Sequence, residues 1–502
     1  MIRRNIAANV LGGGTAAVTA FLLIPLQIHQ LGVEAYGLIG FLASIQVLLS
    51  LFDLGLSPAV TWYVARAGER GPLTARIVLR AVGPVYTVLG AGLGVALVIA
   101  APWLASGWLR LAGIPVDVAV VVVRLAAVAL LLRWPVSLLA GLLAGLQRFG
   151  PLNVAKGIHA LVNFVGSIIV LFVWHDVVAF ATWLVAAASV ELCLYLVALR
   201  VSTIGEPIAR SPGADLPALW RYAATIAVVA ALSLILTQSD RVVLARLVTT
   251  ARLGEYAAAY NLLFGLTLIQ LFVGSAVYPS FAADFAAVNL GRIRDRHHDA
   301  AQLILYLYAL PFSVVVVFGE SVLAVLLPPD AARSTAVVLV LLAIGFLFNA
   351  LTAVPYSLSI AGGLSRLPIL VNVVSLAWYL PALILGVGAY GPAGAAAAWA
   401  VLNLSYVFTL IPVAQRRLLG GGTLRWLRSA FLPFPVVGLV TFGIARSIVG
   451  LRGPQDPVLW LAIVGSAVLY AVIGFRLLRP SVRAHARQLV TRSRWSRSTP
   501  LA

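Results

Sequence analysis

Cysteine occurs once in the 502 residues, methionine once and acidic residues only 16 times, and charged residues of both signs make up just 10% of the chain. The lone Cys193 excludes a disulfide framework or a cysteine metal cluster within one chain, and its place in an apolar run fits a small core hydrophobe. Charge this sparse, against about 25% in an average soluble domain, excludes an ordinary water-facing surface. Polar stretches of domain length are also missing, which argues against an attached soluble catalytic or nucleotide-binding domain and so against a single-chain ATP-driven pump. The glycine run at 12–14 does not match the GxxxxGK[ST] phosphate loop, and neither HExxH nor GxSxG occurs, so no enzyme activity, cofactor or metal is expected.

What the chain has instead is hydrophobicity, at 62% of residues. A hydrocarbon core about 30 Å thick needs roughly 20 apolar residues per crossing. Apolar runs bounded by charge, Pro or Gly predict helices at about 7–30, 36–62, 78–102, 118–145, 152–174 and 177–200. A second set follows at about 220–247, 256–282, 302–327, 334–360, 367–388 and 393–414, and a final pair near 430–449 and 457–478. The expected fold class is therefore all-α and polytopic, with about fourteen transmembrane helices. The first run, following Met1, Arg3 and Arg4, is long enough to span and stay, so it reads as a helix and not as a cleaved signal.

Net charge is +19, from 35 Lys+Arg against 16 Asp+Glu. A nucleic-acid partner would need a solvated basic patch, whereas these charges are scattered between apolar helices. They sort instead by side of the membrane. Arg66, Arg70, Arg76 and Arg80 fall on one side, together with Arg292, Arg294 and Arg296, Arg416, Arg417, Arg425 and Arg428, and the arginines from Arg476 to Arg497. Arg110, Arg246, Arg252, Arg333, Arg446 and Arg452 fall near the other. This asymmetry predicts cytoplasmic N- and C-termini. His297 and His298, in a charged cytoplasmic segment, read as solvated.

The two sets of six repeat at a shift of about 220 residues: Glu34 meets Glu255, Pro58 meets Pro279, and AGLQRFGPLN at 144–153 resembles AGGLSRLPILVN at 361–372. Six helices per copy make the second bundle parallel to the first, an arrangement that commonly flanks a central path. The expected domains are an N-terminal bundle at 1–200, a cytoplasmic linker at 201–217, a C-terminal bundle at 218–415, two extra helices within 416–480 and a basic tail at 481–502.

An ionisable side chain in hydrocarbon costs at least about 2.5–3.5 kcal/mol on insertion scales, so those inside predicted spans are candidates for function. Arg124 and Arg133 lie nine residues apart on the fourth helix, which places them on roughly opposite faces. Either could line a cavity, where the planar guanidinium suits phosphate or carboxylate. Asp240 and Arg241 are adjacent and diverge by about 100°, so each serves either a cavity or an interhelical brace. Asp53, Glu191 and Glu320 are coupling candidates, although Asp53, beside a Gly and Pro break, also suits a helix cap. His159 and Asn163 share a face of the fifth helix and read as an interhelical hydrogen-bonded contact, because no nearby His or Cys completes a metal site.

The segments LGVEAYGLIGF at 31–41, DLGLSPAVTWYVAR at 53–66, GLQRFGPLNV at 145–154 and TQSDRVVLARLVTTARLGEYAAAYNLL at 237–263 resemble the Wzx-type oligosaccharide flippases. These belong to the multidrug/oligosaccharidyl-lipid/polysaccharide exporter superfamily. The resemblance implies two six-helix bundles in a V, here with two further helices, in a bacterial inner membrane. It implies translocation of an isoprenoid-pyrophosphate-linked oligosaccharide by alternating access, in a pathway that makes a polysaccharide polymerase and glycosyltransferases candidate partners. It carries the substrate-binding role first onto Arg241 in the SDR triplet, with Asp240 beside it. Three alternatives stay open: a lipid II flippase, a cation-coupled multidrug antiporter, and a scaffold for polysaccharide enzymes that transports nothing.

Overall fold

The computed structural model describes residues 18–19, 21–53, 55–203, 216–450 and 452–484. The glycine run at 12–14, part of the expected linker and most of the expected basic tail lie outside them. Helices account for nearly everything described, and no strand occurs among these residues beyond an isolated bridge between Arg110 and Thr249. In order they are α1 (Phe21–Leu31), α2 (Val33–Leu49), α3 (Leu56–Arg66), α4 (Gly71–Trp103), α5 (Val116–Gly145), α6 (Phe149–Trp174), α7 (Val177–Thr203), α8 (Leu216–Leu247) and α9 (Thr250–Phe264). There follow α10 (Thr267–Ala286), α11 (Leu290–Leu323), α12 (Pro329–Ala361), α13 (Arg366–Tyr390), α14 (Pro392–Phe408), α15 (Leu410–Leu419), α16 (Thr423–Trp426), α17 (Pro433–Val449) and α18 (Pro457–Leu477).

Eleven segments among the described residues are long and apolar enough to cross a membrane. The other three of the fourteen expected positions coincide with α1, α5 and α8, which fall outside that set. Outward faces are greasy: Ile99, Leu385, Leu461 and Ile448 are all exposed. Such surfaces are stable only against lipid or protein, and the chain is a multi-pass membrane protein.

Four expectations change, the first being the helix expected at 256–282, which is two helices, α9 and α10, parted at 265–266. The predicted second helix, 36–62, is broken: α2 stops at Leu49, a 3₁₀ turn covers Ser50–Asp53, and α3 starts at Leu56. The segment carrying His297, read as a solvated loop, is the first part of α11, and His297 is buried. Cys193 is exposed on α7, on a face where a thiol meets no protein core.

The chain divides into two compact units, Met1–Ala258 and Ala259–Ala502. In the first, α8 packs against α2 and α3, so a helix expected to open the second bundle is gathered with the N-terminal elements. The closest backbone approach here is a glycine pair. A Cβ built on Gly254 would stand 3.0 Å from the carbonyl carbon of Val33 and 3.1 Å from Gly37 N, and closer still to the Val33 oxygen. Small residues let helices touch backbone to backbone, which is how helices associate where lipid removes the hydrophobic drive between them. Elsewhere in this unit Val170, Leu171 and Phe180 form a cluster that Leu26, Leu31 and Ile39 pack against, joining α1 and α2 to α6 and α7.

In the second unit the element order repeats that of the first. The α9–α10 break at 265–266 corresponds to the α2–α3 break, and α12 carries Pro355 within it as α5 carries Pro135. The extra helices are fixed to α11. Tyr306 stacks on Tyr470 with centroids 5.7 Å apart, the Tyr470 hydroxyl donates to Tyr306 O at 2.8 Å, and the Tyr306 hydroxyl donates to Ala471 O at 3.0 Å. Beyond α18, Arg479 bridges Asp295 at 2.9 Å and Asp299 at 3.0 Å. Asp456 caps the other end of α18, where the Val458 N–H at 2.9 Å and Arg452 at 2.8 Å hold its carboxyl below the usual carboxylate range.

Because backbone atoms cannot step aside as a side-chain tip can, Gly254→Leu should destabilise the protein by about 1–3 kcal/mol. Gly157→Ala, where a Cβ meets nothing within 4 Å, should be tolerated. Melting midpoints of the two purified variants in detergent check this; equal midpoints would remove the glycine contact as a structural determinant.

Candidate functional site

The break after α2 is organised by Asp53. Its Oδ2 accepts the Ser57 N–H at 3.3 Å, which caps the start of α3. Its Oδ1 accepts the Tyr86 hydroxyl at 2.6 Å, and that hydroxyl also meets the Ser137 hydroxyl. Ser57 Oγ donates to Ser137 O at 2.7 Å. One carboxylate thus joins the α2–α3 turn to α4 and α5. The Tyr86 ring lies against Trp134 with centroids 5.3 Å apart, which fixes the hydroxyl's direction.

Asp53, Tyr86, Trp134 and Ser137 line a cavity of about 510 Å³ within the N-terminal unit, together with Gln46, Ser50 and Arg133. Among the described residues, Arg133 is its one guanidinium and Asp53 its one carboxylate. Arg133 Nε lies 3.2 Å from Glu191 Oε2 on α7, and His159 Nε2 on α6 lies 3.6 Å from the same oxygen. The side chains are 33%, 18% and 14% exposed respectively, so this is a part-buried cluster at the cavity wall and not a surface pair. Neighbouring Asn163 offers its carbonyl oxygen to Trp183 Nε1 at 3.4 Å, a further tie between α6 and α7.

Asp240 and Arg241 occupy a separate place. Asp240 is 1% exposed and accepts the Tyr256 hydroxyl at 2.6 Å and the Arg241 N–H at 2.8 Å. The Arg241 side chain points another way, donating from Nη1 to Ser44 Oγ at 3.3 Å on α2 and to Gln238 Oε1 at 3.4 Å. The 100° step between adjacent helical positions produces this divergence.

The three arginines expected to line one hollow are therefore not gathered in this cavity. Arg133 lines it. Arg241 lies in the contact of α8 with α2. Arg124, two and a half turns from Arg133, is exposed on α5, as their opposite faces require. Of the acids, Asp53 and Glu191 belong to the cavity and its wall. Glu320 stands in the C-terminal unit, 55% exposed, with Arg333 at 3.5 Å. Sequence reasoning missed Tyr86, Ser137 and Gln46; Tyr86 is neutral, and only its place two residues after Pro84 in α4 marks it out.

A family described as polysaccharide biosynthesis protein matches residues 2–283, more than half of the chain. The chain belongs to that family. It is 22% identical over 410 residues to a Shigella flexneri protein assigned as an O-antigen transporter, covering 80% of this chain and 94% of the relative. Among solved structures, the lipid II flippase MurJ in an inward closed conformation superposes with a TM-score of 0.69 at 11% identity, covering 93% of this chain and 99% of MurJ. An inward-facing multidrug-resistance MATE-family transporter of the MOP superfamily gives 0.68 at 14% identity, covering 83% and 96%. The fold is accordingly that of the multidrug/oligosaccharidyl-lipid/polysaccharide exporters, and the resemblance to Wzx-type flippases holds at the level of family and fold.

In this member of the family, Arg133→Ala should leave the Glu191 carboxylate facing only His159, at a cost of about 1–3 kcal/mol. Adding Glu191→Gln removes the stranded charge and should recover part of that loss. Thermal midpoints of the single and double variants test the coupling; additive losses would mean that the two side chains act independently.

Proposed function

We propose that the protein is a flippase that carries an isoprenoid-pyrophosphate-linked oligosaccharide across the bacterial inner membrane by alternating access, for assembly of a surface polysaccharide. Membership of the polysaccharide biosynthesis family and similarity to an O-antigen transporter assignment support the substrate class. The fold shared with MurJ and MATE transporters supports transport over catalysis. The observation that carries the reading is Arg133, paired with Glu191 and lining a cavity inside the N-terminal unit.

A pyrophosphate headgroup must leave water for a layer of low dielectric, where an unopposed anion costs several kcal/mol or more. A guanidinium offers paired donors to two phosphate oxygens, and Glu191 keeps it in one orientation between substrates. Arg241, in the contact of α8 with α2, and Arg124, exposed on the far face of α5, are the further cationic candidates, outside the cavity itself. Asp53, Glu191 and Asp240 are the acids through which an ion or proton gradient would be coupled, with Glu320 as the candidate in the second unit. The arginine distribution supports a topology with both termini on the cytoplasmic side. Membrane lipids, a polymerase and glycosyltransferases are its surroundings and partners.

Proteoliposomes loaded with a fluorescent isoprenoid-pyrophosphate oligosaccharide should show transfer between leaflets. Arg241→Ala and Arg133→Ala should each slow transfer by about tenfold or more, the scale of one lost charge-assisted bond. Arg241→Lys, which keeps the charge but loses the fork, should fall between. Export of small organic cations without glycan transfer would reassign the protein as a drug antiporter, transfer of lipid II as its flippase, and no transfer of any of them as a scaffold.

A further inference from the structure

The C-terminal unit contains a second cavity, of about 640 Å³, where the start of α11 meets the end of α15 and the segment that follows it. Its wall carries two arginines and two histidines and no carboxylate. The acids nearest in sequence, Asp295 and Asp299, are engaged by Arg479 instead. One sign of charge lining a recess focuses the field and draws the opposite sign.

The inner side is polar and unsatisfied. His297 and Gln415 are each 1% exposed, and Trp426 is buried against His297 with ring centroids 5.0 Å apart. Among the described residues, His297 Nε2, Trp426 Nε1 and both amide atoms of the Gln415 side chain have no hydrogen-bond partner. Leaving one such group unmet costs about 1–3 kcal/mol, so a cluster at one wall calls for polar partners from outside the protein, water or ligand.

The outer side is a bare loop. Gly420, Gly421 and Gly422 have φ of +77°, +101° and +98°. A Cβ on Gly421 or Gly422 would meet nothing within 4 Å, so the backbone conformation and not crowding demands glycine there. At the foot of the loop, Arg294 donates from Nε at 3.0 Å and Nη2 at 2.7 Å to Leu419 O, which fixes its guanidinium beside the opening. Arg425 also lines the cavity, is exposed and has no ion pair among the described residues.

We propose that this cavity binds a phosphate group carrying a hydroxyl-bearing substituent, such as a glycerol phosphate. Arg294 and Arg425 take the phosphate oxygens, Trp426 supplies a donor-only N–H, and the Gln415 carbonyl oxygen accepts the ligand's hydroxyl. The volume exceeds that of a bare phosphate, and the unmet acceptor on Gln415 calls for a donor that a fully ionised anion lacks. The source is either a free polyol phosphate or the headgroup of an anionic phospholipid, since the site lies at the membrane face where arginines concentrate.

The test uses the full-length protein in uncharged detergent with glycerol 3-phosphate, and in nanodiscs of phosphatidylglycerol against phosphatidylcholine, read by thermal midpoint and by native mass spectrometry. The wild type should be stabilised by one of these probes. A response to glycerol 3-phosphate identifies a soluble ligand, and a response to phosphatidylglycerol alone identifies a lipid. Arg425→Gln, at an exposed position that leaves packing intact, and Arg294→Gln should each weaken the response about tenfold. Arg366→Gln, which removes the same charge from an exposed position outside the cavity, should not. No response of the wild type to either probe, or an equal loss in Arg366→Gln, overturns the proposal.

Discussion

A charge or bare polar group within hydrocarbon is tolerable only when protein meets it, and the N-terminal unit is arranged around that constraint. Asp53 is met by Ser57 and Tyr86, Glu191 by Arg133 and His159, and Asp240 by Tyr256. Each of these contacts joins different helices or restarts one. The few ionisable residues that a composition of 10% charge allows are thus also the fasteners of the bundle. Stability at these positions therefore rests on polar partners, and removing any one partner leaves its counterpart stranded in an apolar setting.

Where packing is apolar, size replaces charge as the determinant. The Gly37–Gly254 approach brings α2 and α9 together through backbone alone, and the Tyr306–Tyr470 stack seats α18 on α11. Lipid tails solvate leucine as well as a neighbouring helix does, so close fit and hydrogen bonds hold these elements in place. The paired tyrosines combine both, each hydroxyl reaching the other helix's backbone.

Much of this was legible from the sequence, because a spanning helix announces itself by length and hydropathy alone. Positions from Phe149–Trp174 to Pro457–Leu477 agree with the expected runs within a few residues, apart from the longer α11 and the runs expected at 256–282 and 393–414, which are interrupted at 265–266 and at Thr409. The break after Leu49 was legible only in part: the Gly and Pro beside Asp53 marked a helix cap there, but the apolar residues on both sides read as one continuous span. The burial of His297 was hidden for the opposite reason: GRIRDRHHDA has the hydropathy of a loop. Its signal was periodicity, as Ile293, His297, Ala300, Ala301 and Ile304 form one buried stripe. The site was partly legible. Insertion cost singled out Arg133, Glu191, Asp240 and Arg241, but no composition argument finds a tyrosine such as Tyr86 or says which guanidinium reaches a cavity.

The unwound turn at Ser50–Asp53 has a consequence for hydration. Where a helix is interrupted at membrane depth, carbonyls lose their intrahelical donors, and acyl chains offer none in exchange. Ser50, Leu51, Asp53 and Gly55 all border the N-terminal cavity. The turn therefore calls for polar partners other than its own helix, and the cavity that it borders is the open space from which protein or water can supply them.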